Sequence, residues 1–72
     1  MSYAVIRSME EVLETLHADG CKRTAPRKKM YRAITAATNI VREVSLEAFL
    51  KRMGEQGFIG PTENPNVFEL KR

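Results

Sequence analysis

The amino-acid sequence predicts a mainly α-helical domain with a small β-hairpin, built from three helices that the hairpin follows. Apolar residues recur three and four positions apart in three separate segments, which is the period of an amphipathic helix. After the third segment, two glycines are followed by Phe58-Ile59, a turn over 60–65 and a short run over 66–70. Two such runs on either side of a turn rich in Gly, Pro and Asn are typical of a hairpin.

The length and composition indicate one small domain over residues 1–72. A chain of 72 residues buries only about 60% of the surface that its unfolded form exposes, so nearly every large apolar side chain is needed for the core. The single cysteine, Cys21, excludes an intramolecular disulfide and favours a reducing compartment. The sequence shows no secretory signal pattern, and no apolar run approaches the ~20 residues that span a membrane. We therefore expect a cytoplasmic protein that does not bind membranes.

The first helix is predicted to begin at Ser8. The segment Ser8-Met9-Glu10-Glu11 has the pattern of a capping box, in which the serine and glutamate side chains bond to free backbone amides of the first turn. Gly20 is expected to end this helix. Its apolar stripe is Met9, Val12, Leu13 and Leu16. Residues 3–6, which precede it, form either a third strand beside the hairpin or a segment that packs across the helices.

The second helix is expected to begin around Thr24-Ala25-Pro26. Thr24 or Ala25 would be the N-cap, and Pro26 would lie in the first turn, where its missing N–H costs nothing. The inward-facing stripe of this helix is predicted to be Met30, Ile34 and Ala37. Thr38-Asn39 breaks the pattern, and a break there gives the tight turn that a helix-turn-helix needs.

The segment 40–44 leaves two alternatives open. It alternates poorly as a strand; as the start of a longer third helix it places Ile40, Val41 and Val44 on one stripe. In both cases the third helix includes residues 46–53, whose apolar stripe is Leu46, Phe49, Leu50 and Met53. Ser45 is placed to cap this helix. Gly54 and Gly57 are both candidates for the left-handed residue that ends it.

The end of the chain, over about residues 40–70, resembles a winged helix-turn-helix DNA-binding domain. The resemblance lies in Leu50-x-x-Met53 late in a helix, then Gly57-Phe58-Ile59, a turn and a strand that ends in Leu70. In that superfamily a recognition helix runs into a two-stranded wing. Residues 20–27, G-C-K-R-T-A-P-R, also resemble loosely the opening of ferric uptake regulators, whose histidine-rich metal sites have no counterpart here. The resemblance implies a three-helix, winged helix-turn-helix-like fold that binds DNA.

The positive charge of the chain is concentrated in one segment. The net charge is only +3, yet residues 22–32 hold six of the 12 basic residues and no acidic one, while the other six basic residues stand against nine acidic ones. We call these six residues the basic cluster: Lys22, Arg23, Arg27, Lys28, Lys29 and Arg32. A local cluster of this kind is typical of a site for a polyanion.

The leading functional prediction is therefore a small regulator of transcription that binds double-stranded DNA. The basic cluster would contact phosphates, assisted by the free amides at the start of the second helix, and the third helix would enter the major groove. On that helix we expect Arg42, Lys51 and Arg52 to donate to guanine or phosphate, and Glu47 to accept from cytosine N4. The alternative interpretation is that each of these residues is only a solvated surface charge. In that case Glu47 and Lys51, four residues apart on the helix, would form an ion pair. Because one domain of this size can read only a short DNA half-site, a homodimer is plausible.

Two features favour an alternative, in which the same scaffold is a protein–protein interaction module such as an adaptor or a phage- or plasmid-type inhibitor. The turn over 60–65 carries Glu63 and no basic residue, and the third helix is nearly neutral. The basic cluster would then dock on an acidic protein, with Tyr3, Tyr31 and Phe58 as anchors if they are exposed. A nonspecific RNA binder ranks third, since Tyr31 alone stands among the cations.

Catalysis and metal binding find little support in the sequence. His17 and Cys21 lie close together, but two ligands do not make a metal site and no second His or Cys exists to complete one. We interpret His17 as a residue that suits the negative end of the first helix, and Cys21 as a small buried thiol. No phosphate-binding glycine motif occurs either. We expect no enzyme, no metal and no cofactor.

Overall fold

The computed structural model describes residues 2–72 as three helices and one small sheet. In chain order the elements are α1 (Tyr3–Ala18), β1 (Thr24–Pro26), α2 (Arg27–Thr38), α3 (Glu43–Glu55), β2 (Ile59–Pro61) and β3 (Val67–Leu70). The three strands are antiparallel and lie in the order β1-β3-β2. The predicted mainly α-helical fold with a hairpin after the third helix is confirmed, and the sheet gains one strand that was not predicted in that place.

The N-cap of the first helix lies six residues before Ser8, the N-cap that the capping box suggested. Ser2 is the N-cap, and its Oγ accepts from the N–H of Val5 at 3.4 Å. Ser8 lies inside the helix and donates its hydroxyl to the carbonyl of Ala4 at 3.0 Å. Residues 3–6 are therefore helical, and neither a strand nor a separate segment. The earlier start is favourable because Val5 and Ile6 extend the apolar stripe and pack against the core.

Residues 24–26 form an edge strand instead of the start of a helix. Ala25 pairs with Phe68 of β3, and the backbone of Arg23 accepts from the N–H of Leu70 at 2.7 Å. Pro26 is the N-cap of α2 in an extended conformation, and no side chain caps this end. Proline disfavours a helical residue before it and is tolerated on edge strands. These two effects explain why the chain is extended up to Pro26 and helical from Arg27.

The turn between α2 and α3 covers four residues, 39–42. Asn39 adopts the left-handed conformation at φ 65°, and its N–H donates to the carbonyl of Thr35 at 2.8 Å. The hydroxyl of Thr35 in turn donates to the carbonyl of Ile40 at 2.7 Å. Asparagine is one of the few residues that end a helix in this way. The predicted break at Thr38-Asn39 is confirmed.

The third helix begins between the two predicted alternatives. It starts at Glu43, so residues 40–42 are neither a strand nor helical, and Ser45 lies inside the helix where it cannot be the N-cap. The predicted stripe of Ile40, Val41 and Val44 is wrong, because both valines are exposed. Gly57, at φ 79°, is the left-handed residue after the helix, whereas Gly54 lies within it.

The core is formed by all three helices together with the sheet. The predicted stripes of α1 and α3 are buried, as are Met30 and Ile34 of α2, while Ala37 is half-buried. The largest fully buried side chains are Phe58, Met9, Leu16, Met30, Ile34, Met53 and Val12. Across the range 2–72, none of the helices combines the length and the apolar character needed to cross a bilayer.

Candidate nucleic-acid interface

The structure divides the basic cluster into two engaged and four available cations. Within residues 2–72 the ion pairs of the cluster are Arg27 with Glu47 and Lys29 with Asp19, the latter at 3.2 Å. The other four members are exposed and belong to neither pair; they are Lys22, Arg23, Lys28 and Arg32. The positive surface offered to a polyanion is therefore smaller than the sequence suggested.

Arg27 connects four parts of the fold at the start of α2. One guanidinium nitrogen donates to the carboxylate of Glu47 on α3, and Nη2 donates to the carbonyl of Pro65 in the hairpin turn at 2.9 Å. The guanidinium also lies over the ring of Phe68 in β3, 5.0 Å from its centroid. The planar, five-donor guanidinium suits this combination of contacts, which a lysine cannot reproduce. The main role of Arg27 is therefore to link α2 to α3, to the hairpin turn and to β3 within the protein.

Glu47 is the centre of a small polar group that joins α2 to α3. Its Oε2 accepts from both Arg27 and the phenol of Tyr31. The hydrogen bond from Arg27, followed by the one from Tyr31, lowers the pKa of Glu47 below its ordinary value, and the same carboxylate raises the pKa of Arg27 and of Tyr31. The anticipated pair of Glu47 with Lys51 is absent from the ion pairs found over residues 2–72. Whether Glu47 also accepts from cytosine stays a prediction.

The outer face of α2 carries two of the available cations one turn apart. Lys28 and Arg32 are four positions apart and therefore project from the same side of the helix, opposite the buried Met30 and Ile34. Lys29 is turned by about 100° from Lys28, toward α1, where Asp19 binds it. Lys22 and Arg23 precede the helix on the approach to β1.

The outer face of α3 is mixed in character. Val44, Ala48, Lys51 and Glu55 are exposed and recur at the spacing of one helix face. Arg42, the N-cap, is also exposed. Arg52 follows Lys51 directly and so projects about 100° away from it. Lys51 is therefore on the side that carries Val44, and Arg52 lies at its margin, whereas Arg42, two positions before Val44, does not share that helix face.

An open groove runs between α3 and the hairpin. Its volume is about 470 Å³, its floor is apolar, with Leu50, Ile59 and Phe68 among the residues that line it, and charged side chains stand around it. The charged residues are Arg27, Glu47, Lys51, Glu55 and Lys71. No short-range sequence pattern marks this groove, because its floor combines residues from one helix and two strands.

The residues that the sequence offered as metal ligands or as anchors for a protein partner have mostly structural roles. The two ring nitrogens of His17 lie 2.9 Å from the carbonyl of Cys21 and 3.1 Å from that of Arg72, and Cys21 is buried. Over the described residues, no three side chains of His, Cys, Asp or Glu are grouped so that they could hold a metal ion. Phe58 is buried and cannot anchor a partner, Tyr31 is half-buried against Glu47, and Tyr3 is exposed.

No protein-family model matches the chain, and neither does any curated protein or solved structure. Its function has to be inferred from its own residues. These offer two available cations on the outer face of α2 and two more before β1, a short turn into α3, and a second exposed helix face that carries apolar and charged side chains.

Proposed function

We propose that this protein is a small DNA-binding protein, a single winged helix-turn-helix domain that regulates transcription in the cytoplasm. The observation that carries the proposal is the succession of α2, a four-residue turn and α3, directly followed by the hairpin β2-β3. Two helices joined by a turn of three to four residues are the pattern of a helix-turn-helix. The hairpin stands where the superfamily that the sequence resembles has its wing.

The available cations supply the affinity in this proposal. Each phosphate that a Lys or Arg neutralises releases counterions, so four contacts give a slope of about −3.6 in log K against log salt and a loss of affinity of about 150-fold between 50 and 200 mM salt. The N–H of Arg27 is already taken by the carbonyl of Asn66 at 2.8 Å, so a further attraction for phosphate comes from the other amides in the first turn of α2. The hairpin turn contributes little, since Pro65 and Asn66 bind the start of α2 and Glu63 is acidic.

The third helix supplies the sequence preference. In helix-turn-helix proteins the second helix of the motif enters the major groove and its N-terminal residues contact base edges. Here that helix is α3, on which Arg42 and Lys51 are exposed donors. The group of Arg27, Glu47 and Tyr31 fixes α3 against α2 and so sets the angle at which the two helices meet the duplex. A homodimer would place two copies of α3 on adjacent half-sites.

The test is fluorescence anisotropy with a labelled mixed-sequence duplex at 50 and 200 mM salt. We expect Arg32→Ala to weaken binding to all sequences and to reduce the salt slope by about 0.9. Two control variants each remove one positive charge but leave all four available cations of the basic cluster in place. Lys29→Ala removes the side chain that Asp19 already holds, and Arg7→Ala removes an exposed cation of α1. Both are expected to leave the slope unchanged.

Two results would reject DNA binding. The first is an affinity no tighter than millimolar at 50 mM salt for the unaltered protein. The second is a loss of affinity in Arg7→Ala as large as that in Arg32→Ala, because binding would then follow the net charge of the protein and not the basic cluster.

The groove beside α3 favours a second candidate, a protein-binding module. Its apolar floor, with Leu50 and Phe68, is a surface on which an apolar side chain of a partner can pack, and Lys51 and Lys71 at its edge suit an acidic partner. Recovery of one acidic protein from a lysate in a nuclease-insensitive manner, lost in Lys51→Glu, would support this function. Retention of that protein by the variant would count against it.

A further inference from the structure

Two large apolar side chains are exposed to solvent and make no contribution to the core. Val44, in the first turn of α3, is 82% exposed, and Val41, in the turn before it, is 73% exposed. In so small a domain nearly every large apolar residue is needed inside. Valine is also a weaker helix former than alanine, because its branched side chain loses freedom against the preceding turn. Neither burial nor helix propensity explains Val44.

The surroundings of Val44 indicate what it contacts. Val44 stands at the N-terminal end of an exposed face of α3 that continues with Ala48, then Lys51 two turns after Val44, and ends at Glu55. The N-terminal residues of the second helix of a helix-turn-helix contact base edges, so an apolar side chain at this place, with one cation further along the face, suits the apolar edge of a base pair. Glu43, the exposed residue before Val44, repels phosphate, whereas the charge of Glu47 is already paired with Arg27; the start of α3 therefore suits base edges better than the backbone.

Only one base presents an apolar group in the major groove. Thymine carries a 5-methyl group there, and small apolar side chains recognise it by contact. We propose that Val44, with Ala48 beside it, reads the methyl group of a thymine in the major groove and thereby makes the protein prefer that base. The inference rests on the proposed function and adds the class of base that α3 recognises.

The helix geometry sets the layout of the site. From Val44 to Lys51 the axis rises by about 10 Å at 1.5 Å per residue. This length equals about three base-pair steps of 3.4 Å along the DNA axis. The thymine read by Val44 and the base or phosphate bound by Lys51 are therefore expected to lie about three base pairs apart.

The experiment removes the methyl group without changing the pairing of the base. A preferred duplex is first selected from a randomised pool with the unaltered protein, and each thymine is then replaced in turn by deoxyuridine. At one position we expect the affinity to fall roughly fourfold, the effect of one buried methyl group. In Val44→Ala the same replacement is expected to change the affinity less than about 1.5-fold, because most of the apolar contact is gone.

A matched control separates this effect from a general loss of exposed apolar surface. Val41→Ala removes the same atoms from a side chain of similar exposure that lies outside α3, and the fourfold effect of deoxyuridine is expected to remain. Val44→Ala is expected to keep the helix, since alanine is the better helix former. Circular dichroism of both variants checks that they are folded.

The outcomes distinguish the inference from the function on which it rests. If the protein binds duplex DNA with the expected salt slope but no deoxyuridine position matters, or if the effect persists in Val44→Ala, the thymine contact is overturned while DNA binding stands. If no duplex is bound at 50 mM salt, both are overturned. A loss of self-association in Val44→Ala with no change at any thymine, measured by sedimentation, would assign Val44 to a dimer interface instead.

Discussion

The cross-link made by Arg27 gives the sharpest prediction for stability. Replacing it by alanine removes the ion pair with Glu47, the hydrogen bond to the carbonyl of Pro65 and the contact with the ring of Phe68. The ion pair is screened by solvent, since the side chains of Arg27 and Glu47 are 28% and 43% exposed. The three contacts belong to one side chain and are not additive, so we expect Arg27→Ala to cost about 2 kcal/mol in total.

A loss of this size is large for a domain of 72 residues, whose free energy of unfolding is on the order of 4 to 10 kcal/mol. It corresponds to a fall in Tm of about 10 °C. The free energy of unfolding is measured by urea titration followed by circular dichroism, since guanidinium chloride would screen the ion pair. Lys28→Ala is the matched control, because Lys28 is the next residue of the same helix and is exposed, and it is expected to stay within about 0.5 kcal/mol of the unaltered protein.

Arg27→Lys separates charge from geometry. It keeps the positive charge, yet it loses the fork that reaches Glu47 and Pro65 together. We expect it to recover less than half of the stability lost in Arg27→Ala. The internal role assigned to Arg27 would be refuted if Arg27→Ala cost less than about 0.5 kcal/mol or if Lys28→Ala cost as much.

Three further predictions concern the polar groups around α2. The pKa of Glu47 is lowered in the folded state, chiefly by the hydrogen bond from Arg27. The ionised carboxylate therefore stabilises the protein fully at pH values above the ordinary glutamate pKa of about 4.3, and this contribution is lost as the pH falls through the lowered pKa of the folded state. The difference in unfolding free energy between the unaltered protein and Glu47→Gln should therefore shrink from pH 7 to pH 3, and an unchanged difference would contradict the assignment. The pKa of Tyr31 is raised, chiefly by Glu47, so ultraviolet titration of Tyr3→Phe should show a phenol midpoint above about 10 that moves down when Glu47→Gln is added. Asp19→Asn releases Lys29 and should steepen the salt slope of DNA binding by about 0.9; an unaltered slope would show that Lys29 lies away from the duplex.

The parts of the fold that follow local patterns were predictable from the sequence. The buried stripe of α3, with Leu46, Phe49 and Met53, follows from helical spacing alone, and the hairpin follows from the glycine after α3 and the turn residues. Helix ends were harder, because several residues compete for one role. Both Ser2 and Ser8 are suited to cap α1, and the packing of Val5 against the core favours the earlier one.

The features that the sequence did not predict depend on partners far away in the chain. Thr24-Ala25-Pro26 resembles a helix start when only its neighbours are considered, and it becomes a strand because β3 lies beside it. For the candidate site, the charges of the basic cluster were visible in the sequence, but the pairing of Arg27 with Glu47 was not. Helical spacing offered Lys51 as the nearby partner of Glu47 and gave no information about α2. The exposure of Val44 was likewise hidden, since its apolar character alone favours burial.

The order of strands in the sheet also constrains how the molecule assembles. Its central strand is β3, the last element of the chain, and one of its neighbours is β1, which precedes both α2 and α3. The pairing of Thr24 with Glu69 therefore closes a long loop, and such closure slows folding more than contacts between residues close in sequence. On a ribosome, α1 and α2 can meet as soon as both have emerged, whereas β1 has to wait for residues 67–70. Until then its edge is open to unwanted strand pairing, and the proline at its end limits that risk.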